Sequence, residues 1–556
     1  MISNIYIFIF YYLLISLSII GYGHIFFLFN KNLKISSNFG YAGLTGLLVL
    51  SIYSYLSSFF YEHSLIHNLI LILIGFAYYV FIFFKKKIDY HFKVLFILLL
   101  IYFIGILIFK SHDDFSYYHF QYTYYLTQMS SVIGIGNFNL GFRTPSSIFY
   151  INSLFYLPVV KFYMFQMAAF LIFLYSNIIF ISKLIQDNIS KRFNFLTFYY
   201  LLSFIFINIF FYRVSEHGTD RSAQILILIL IGEILSFMNF KVKIENYISK
   251  LLLLMALIIS LKAFYVLYII FFSIVFLKLI KFNNIKKIAY YIFFNLYLYL
   301  FILLFLLIII INFVNTGCLI YPVSMTCFDS NIWAISISEV NDLNNWYEQW
   351  SKAGANPNFR IDDPESYIQK FNWVGNWVNE YFFTKVSDFL LGLIFLILVI
   401  FFYFYPYQEN YKNRNIFLSL VVISILFFEW FYNHPSLRYG GYCLVASFLF
   451  TISSLKFEQT RHNYKILRKK IIFLIMLSLL VFMGRNMHRI SKEYDQYAYN
   501  PIKNIFYRMD DASFDIDKRI KKLISNYNDC ADSKNCENDD IIGVKKISGM
   551  FLFFIK

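Results

Sequence analysis

Residues 110–120, KSHDDFSYYHF, place two adjacent carboxylates, Asp113 and Asp114, between His112 and His119, just past a long apolar run. Acids are scarce in this chain, 32 Asp plus Glu in 556 residues, so a doubled acid at that position needs an account. Three chemistries suit it. One carboxylate can cap the helix that begins near Phe115 by accepting from its first free amides. His112, Asp113, Asp114 and His119 together have the donor types of a metal site. Alternatively, one carboxylate can accept the proton of a hydroxyl nucleophile as a general base. A cap needs only one acid, so the pair favours a chemical role.

Other charges in apolar surroundings are few, and an ionisable group in or near a membrane often marks function. Lys262 interrupts an apolar run. EHGTDRSAQ supplies Glu216, His217, Asp220 and Arg221 as another run begins, and FFEWFYNHPSLRYGGY supplies Glu429, His434 and Arg438. Arg221 also fits plain snorkelling to the headgroups. Arg438 lies between Pro435 and YGG, where a tight turn can hold it in one orientation. In GIGNFNLGFRTPSSIFYINSLF, Arg143 can bind an anion or satisfy a helix end. TPSS there reads as a helix start, with Thr144 as cap and Pro145 at the first helical position. The glycines of that stretch make no nucleotide-binding motif, because no strand precedes them. Fixed cations suit a phosphate or pyrophosphate, and a base suits an acceptor hydroxyl. The combination is the chemistry of sugar transfer from a lipid-phosphate carrier.

The elements that must position these groups are membrane helices. The chain is 59% hydrophobic and 14% charged, against about 25% charged for a soluble domain. Apolar runs of spanning length recur along most of it, which predicts an all-α, polytopic integral membrane protein. About fourteen spans are expected, near 5–29, 41–60, 66–84, 93–109, 163–182, 195–211, 223–238, 251–261, 264–280, 288–313, 387–405, 415–430, 440–455 and 470–484. The first lacks a basic leader and a cleavage site, so it reads as a retained span. The run 251–280 is too long for one ordinary span yet basic on both flanks. Two short spans with a turn near SLKAF resolve this; one long tilted helix is the rival.

Alternate loops are basic (NKNLK, KKKIDYHFK, SKLIQDNISKR, KVKIENYISK, KLIKFNNIKK, YKNR and KFEQTRHNYKILRKK), and the positive-inside rule puts them in the cytoplasm. The net charge of +16 resides in those loops, so no nucleic-acid partner is expected. The outer segments are then 110–162, a short polar loop at FYRVSEHGTDRSA, 314–386, NHPSLRYGG, and a small polar tail from 486. Three regions follow: N-terminal spans 1–92, a core 93–485, and the tail 486–556. Cys318 and Cys327 fall in the third outer loop, Cys530 and Cys536 in the tail, and two local disulfides in an oxidising compartment are expected. Zinc is the alternative, without the short ligand spacing it prefers. Five of six tryptophans lie in 314–386, with Trp346/Trp350 and Trp373/Trp377 one helical turn apart. They read as interfacial anchors or as platforms for sugar rings.

On these residues the chain resembles the GT-C superfamily of membrane glycosyltransferases, which use polyprenyl-phosphate or polyprenyl-pyrophosphate sugars. Asp113 and Asp114 match the acidic pair that opens an early extracytoplasmic loop, and residues 115–129 match the amphipathic juxtamembrane helix that follows, with Phe115, Tyr118, Tyr122, Tyr125 and Met129 at helical spacing. The resemblance implies Asp113 as base, Asp114 assisting it or binding a divalent metal (Mg or Mn), and Arg438, with Lys262 as second candidate, at the carrier phosphate. Catalytic roles are thus expected for Asp113 and Asp114, and substrate binding for His119, Arg143, Asp220, Lys262, His434 and Arg438. The implied partners are a polyprenyl-linked sugar donor, a glycan or lipid acceptor and the lipid bilayer. The implied location is the bacterial inner membrane with the site facing the periplasm or exterior. NTGCLIYPVSMTCF is similar to segments of bacterial cell-envelope membrane proteins. The chain departs from the pattern in placing about three spans before the acidic loop. Rival readings are an O-antigen-type polymerase or ligase, for which Arg360, Arg438 and His434 would serve, a lipid-linked saccharide flippase or transporter, with Glu233 inside a span, and an envelope scaffold.

Overall fold

The computed structural model describes residues 4–29, 38–85, 90–109, 111–191, 193–240, 243–280, 285–356, 361, 363–404, 414–458, 464–532 and 541–556. Much of the basic loop sequence, together with Lys110, Arg360 and Cys536, lies outside the described residues.

Helices dominate. The first four are α1 (Asn4–Phe29), α2 (Phe39–Ser58), α3 (Leu65–Lys85) and α4 (Tyr90–Tyr102). The acidic loop holds two short ones, α5 (Phe120–Tyr125) and α6 (Ser147–Ser153). Then come α7 (Met167–Ile189), α8 (Phe195–Phe210), α9 (Thr219–Asn239), α10 (Ile244–Leu261), α11 (Phe271–Ile280), α12 (Ile285–Phe293) and α13 (Leu296–Thr316). The third outer loop contains α14 (Ile337–Lys352), α15 (Pro364–Ile368) and α16 (Val374–Trp377). The last are α17 (Ser387–Phe404), α18 (Phe417–Asn433), α19 (Gly441–Glu458), α20 (Tyr464–Tyr497) and α21 (Asp515–Asp532).

Among the described residues eight helices are long and apolar enough to cross a membrane: α1, α2, α3, α7, α9, α10, α13 and the continuous stretch Val374–Phe404. Four shorter apolar helices, Tyr90–Ile106, Phe195–Phe210, Ala263–Lys278 and Phe417–Asn433, cover further expected spans. By length and composition these helices establish eight of the fourteen expected spans and leave the finer count open. The expected spans 440–455 and 470–484 fall on α19 and α20, outside both classes, and α20 runs on for 34 residues, about 50 Å. The expected span 288–313 is two helices, because Asn295 leaves the helix and its side chain caps α13 through the Tyr297 amide at 3.0 Å. The run 251–280 is also broken. Lys262 is extended (φ −159°, ψ 126°) between α10 and a tight helical stretch, Ala263–Ile270.

Small residues bring the first helices together. A side chain on Gly21 or Gly23 would strike the backbone of Gly75 on α3 or Ala42 on α2, the close approach that small residues permit between membrane helices. One buried cluster runs from Phe8 to Phe553, so the three sequence regions share a core.

The segments expected on the outer side meet at one end of the bundle. Gly134 N–H donates to Val314 O (2.8 Å), and Arg143 pairs with Glu339 on α14 (2.8 Å). The tail is built into this end and is not an appendage. Arg489 and Arg508 N–H donate to the carbonyls of Leu107 (2.5 Å) and Phe109 (2.8 Å). The tail also breaks the all-α class with an antiparallel hairpin, β1 (Ile542–Ile547) and β2 (Met550–Ile555). Its turn, Ser548–Gly549, has positive φ at both residues, as tight hairpin turns require. Phe553 N–H and Ile133 N–H exchange hydrogen bonds with the acidic loop and the hairpin (both 2.9 Å). At the opposite end, Asn415 N–H donates to Asn239 (2.8 Å), Tyr464 OH donates to Asn188 O (2.5 Å), and Arg414 pairs with Glu458.

Two local expectations change. The aromatic face of 115–129 does not lie free in the membrane interface. Phe115, Tyr122 and Tyr125 are buried in the protein, and Tyr122 OH bonds to Tyr150 OH (2.8 Å) and accepts from Asn315 (3.0 Å). The helix after TPSS starts later than expected: Ser146, not Thr144, is the cap, accepting from Ile148 N–H.

Candidate functional site

The acidic pair begins a helix without capping it. Asp114 is helical, and its side chain accepts no amide of the following turn. That turn is over-wide, with Phe120 N–H donating to Phe115 O, a feature often found at functional sites. The Asp114 carboxylate instead accepts from the Arg438 guanidinium, 324 positions later. Asp113 is exposed and has no ion pair or side-chain hydrogen bond among the described residues.

Arg438 is the hub. Its Nε–H donates to Asp220 Oδ2 at 2.6 Å while a terminal nitrogen holds Asp114. Asp220 sits in the first turn of α9, where the helix dipole favours a carboxylate, and its second oxygen accepts from Lys262 Nζ at 2.6 Å. Lys262 reaches it because the chain is extended there, and its ammonium lies 4.2 Å from the centre of the Tyr439 ring. Four segments distant in sequence thus converge as Asp114–Arg438–Asp220–Lys262. Asp220 is nearly buried (7% exposed), whereas Arg438, Asp114 and Lys262 keep 39%, 33% and 30% of their exposure. The cluster is anchored from below and open above.

The turn carrying Arg438 is clamped. Trp377 and Trp430 indole N–H groups donate to Pro435 O (3.0 Å) and Ser436 O (2.8 Å). Leu437 N–H donates to Tyr381 OH (3.0 Å), and Gln224 donates to Arg438 O (2.9 Å). Gly440 has φ +110°, and a side chain there would press on Tyr268 OH. Among these clamps, Gln224 was missed in the sequence although it lies one helical turn from Asp220, and Tyr381 was missed although it is spaced i,i+4 from Trp377; Trp377, read there as an interfacial anchor or a sugar platform, is buried in the protein and holds this turn.

Three histidines border the cluster. His112 is pushed down to about 4 by burial, with Asp114 opposing and Arg438 adding to the shift. His119, 5.1 Å from His112 ring to ring, is held well below the usual range by burial and by His112. His434 is pushed down to about 4 by burial and by Lys262. Burial favours the neutral imidazole at all three. His119 Nε2 and His434 Nδ1 are buried without a hydrogen-bond partner among the described residues. Burial disfavours the Arg438 charge, but Asp220 and Asp114 outweigh it and hold the guanidinium above its ordinary value.

Arg143 belongs elsewhere. It is buried, donates to Gly136 O (3.0 Å) and Tyr321 OH (3.4 Å), and pairs with Glu339, so it braces the acidic loop against the third loop. Cys318 and Cys327 form the expected disulfide in that loop; the Cys530–Cys536 pairing includes a residue outside the described ones. Among the described residues no group of three or more His, Cys, Asp or Glu is gathered for a metal ion. The set His112, Asp113, Asp114 and His119 is not one, because His119 is buried and Asp114 is engaged by Arg438. Glu233 is fixed by Tyr41 OH (2.8 Å), Lys250 (2.9 Å) and Lys183 (3.3 Å). Its charge is paired inside the bundle.

Residues 5–445 match the family described as Domain of unknown function (DUF8201), and the chain belongs to that family. No curated protein and no solved structure matches it.

Proposed function

We propose that this member of the family is a GT-C-like glycosyltransferase. It would move a sugar from a polyprenyl-(pyro)phosphate carrier to a cell-envelope acceptor, at the extracytoplasmic face of the bacterial inner membrane. The observation that carries the reading is the convergence of Asp114, Asp220, Lys262 and Arg438 from four segments. They make a solvent-open group of two cations on a buried carboxylate, with Asp114 paired to one of the cations and Asp113 next to it in the chain.

Each residue has a distinct role in this reading. Asp220 holds Arg438 and Lys262 side by side, and these two receive the carrier phosphate, Arg438 through its planar fork. Asp114 occupies Arg438 at rest and yields it to the phosphate. Asp113, without a side-chain partner among the described residues, takes the proton from the acceptor hydroxyl as that oxygen bonds to the anomeric carbon. The bond from that carbon to the phosphate oxygen breaks, and the electron pair leaves on the carrier phosphate, where the two cations stabilise it.

Deletion of the gene tests the reading. It should remove one glycan from the cell envelope and leave its polyprenyl-linked donor to accumulate, with wild type restoring the glycan and Arg438→Lys failing to do so at equal protein level. An unchanged glycan profile in the deletion strain would overturn the reading.

A further inference from the structure

Four of the six tryptophans use their indole N–H on the protein itself. Trp333 donates to Phe313 O, Trp373 to Lys370 O, Trp377 to Pro435 O and Trp430 to Ser436 O. Trp346 and Trp350, on α14, have no such bond among the described residues, and Trp346 is 45% exposed. The two rings stack with centroids 6.5 Å apart. Trp350 meets Tyr439 at 5.9 Å, and Tyr439 carries Lys262 on its face. A row of rings therefore runs from the open surface of α14 to the ionic cluster. We propose that Trp346, Trp350 and Tyr439 form a binding rail for the sugar units of the acceptor, which would be an oligosaccharide longer than one unit.

Chemistry selects this occupant. A pyranose presents its C–H face to an aromatic ring and its hydroxyls to polar neighbours. Unbonded indole N–H groups can donate to those hydroxyls. On α14 the polar side chains nearest the two rings by helical position are Asp342, one turn before Trp346, and Gln349 beside it, which suit hydroxyls and do not suit acyl chains. The helix is held along the flank next to the two rings. Val340 and Leu343 are buried with Cys318, Tyr321 and Ile335 next to the Cys318–Cys327 disulfide. The ring-to-ring steps are comparable to the length of one sugar unit, so successive units can stack on successive rings. Aromatic rings along a channel bind polymers in this repeated way in other systems.

The inference rests on the proposed function for the identity of the acceptor, but binding is read without turnover. The probe is envelope glycan released by mild acid from the producing cells, labelled with 2-aminobenzamide and separated by length. It is titrated into the purified full chain in nanodiscs and followed by fluorescence anisotropy. Fractions longer than one unit should bind wild type saturably. Trp346→Leu/Trp350→Leu, which keeps apolar bulk and removes no side-chain hydrogen bond among the described residues, should weaken that binding tenfold or more. The readout is binding and not transfer, so a failed rail, which loses binding of the longer fractions, and a failed transferase, which keeps it, give different results. Binding of no fraction by wild type, or binding by the double variant within twofold of wild type, would overturn the rail. In nanodiscs of brominated phosphatidylcholine, tryptophan quenching should be unaffected by the double substitution. Loss of quenching would make the two rings membrane anchors and would also overturn it.

Discussion

Asp114→Asn should tighten phosphate binding while it damages transfer. In the structure Asp114 occupies the guanidinium that the carrier phosphate would use. It is therefore a competitor as well as a support. The pair keeps 39% and 33% of its side-chain exposure, so solvent screens it. Such pairs contribute about 1 kcal/mol, well below the several kcal/mol lost when a fully buried pair is broken. Release of that competition strengthens binding by the same amount, roughly fivefold, since 1.4 kcal/mol is tenfold. Asp220 still holds Arg438 Nε at 2.6 Å in the variant, so the cation stays in place. The assay is isothermal titration of polyprenyl phosphate into protein in nanodiscs, with EDTA present. Weaker binding by the variant would refute the competition and make Asp114 a direct support of the phosphate. Equal binding would show that the pair is not in the phosphate's path.

Three further outcomes follow from the same geometry. Cysteine at Leu140, exposed in the acidic loop, should react with an impermeant thiol reagent on intact cells and cysteine at Lys85 should not; the reverse pattern would put the site in the cytoplasm. Stability should fall as pH drops from about 6.5 to about 4. His112 and His434 are both near 4 in the fold and near 6.5 unfolded, so the unfolded chain binds more protons across that window. A melting temperature that stays flat or rises between pH 7.5 and 5.0 would contradict this, and His112→Gln should flatten the dependence. Cys318→Ser/Cys327→Ser should cost about 2–3 kcal/mol in the chain-entropy view of a short loop, given a separation of 9 residues. Unchanged thermal unfolding of the double variant would count against a stabilising role.

The helices were legible because a membrane demands long apolar runs, and the break at Lys262 was legible because basic flanks on both sides demanded it. The cluster was legible one residue at a time. Asp114, Asp220, Lys262 and Arg438 each stood out as a charge beside apolar sequence, but nothing local said that they meet, since Asp114 and Arg438 are 324 positions apart. For the same reason Asp114 was readable as a cap when its partner is a distant arginine. Arg143 looked equally available, yet its carboxylate, Glu339, comes from the third loop. The hairpin was missed although Ser548–Gly549 lies between two apolar runs, because the tail was read for its polarity. The tryptophan pairs were visible as i,i+4 spacings, but which indoles are bonded to the backbone depends on tertiary contacts.

The central claim is that Asp113 activates the acceptor. It is tested most directly by single-turnover transfer from the polyprenyl-linked donor that accumulates in the deletion strain, using purified protein in nanodiscs. Asp113 makes no side-chain contact among the described residues that asparagine would lose, so Asp113→Asn should fold as wild type and bind donor with unchanged affinity. Its rate of transfer should fall by roughly 10²–10⁴, the usual contribution of a positioned base. A rate within a fewfold of wild type in the folded variant would contradict the account.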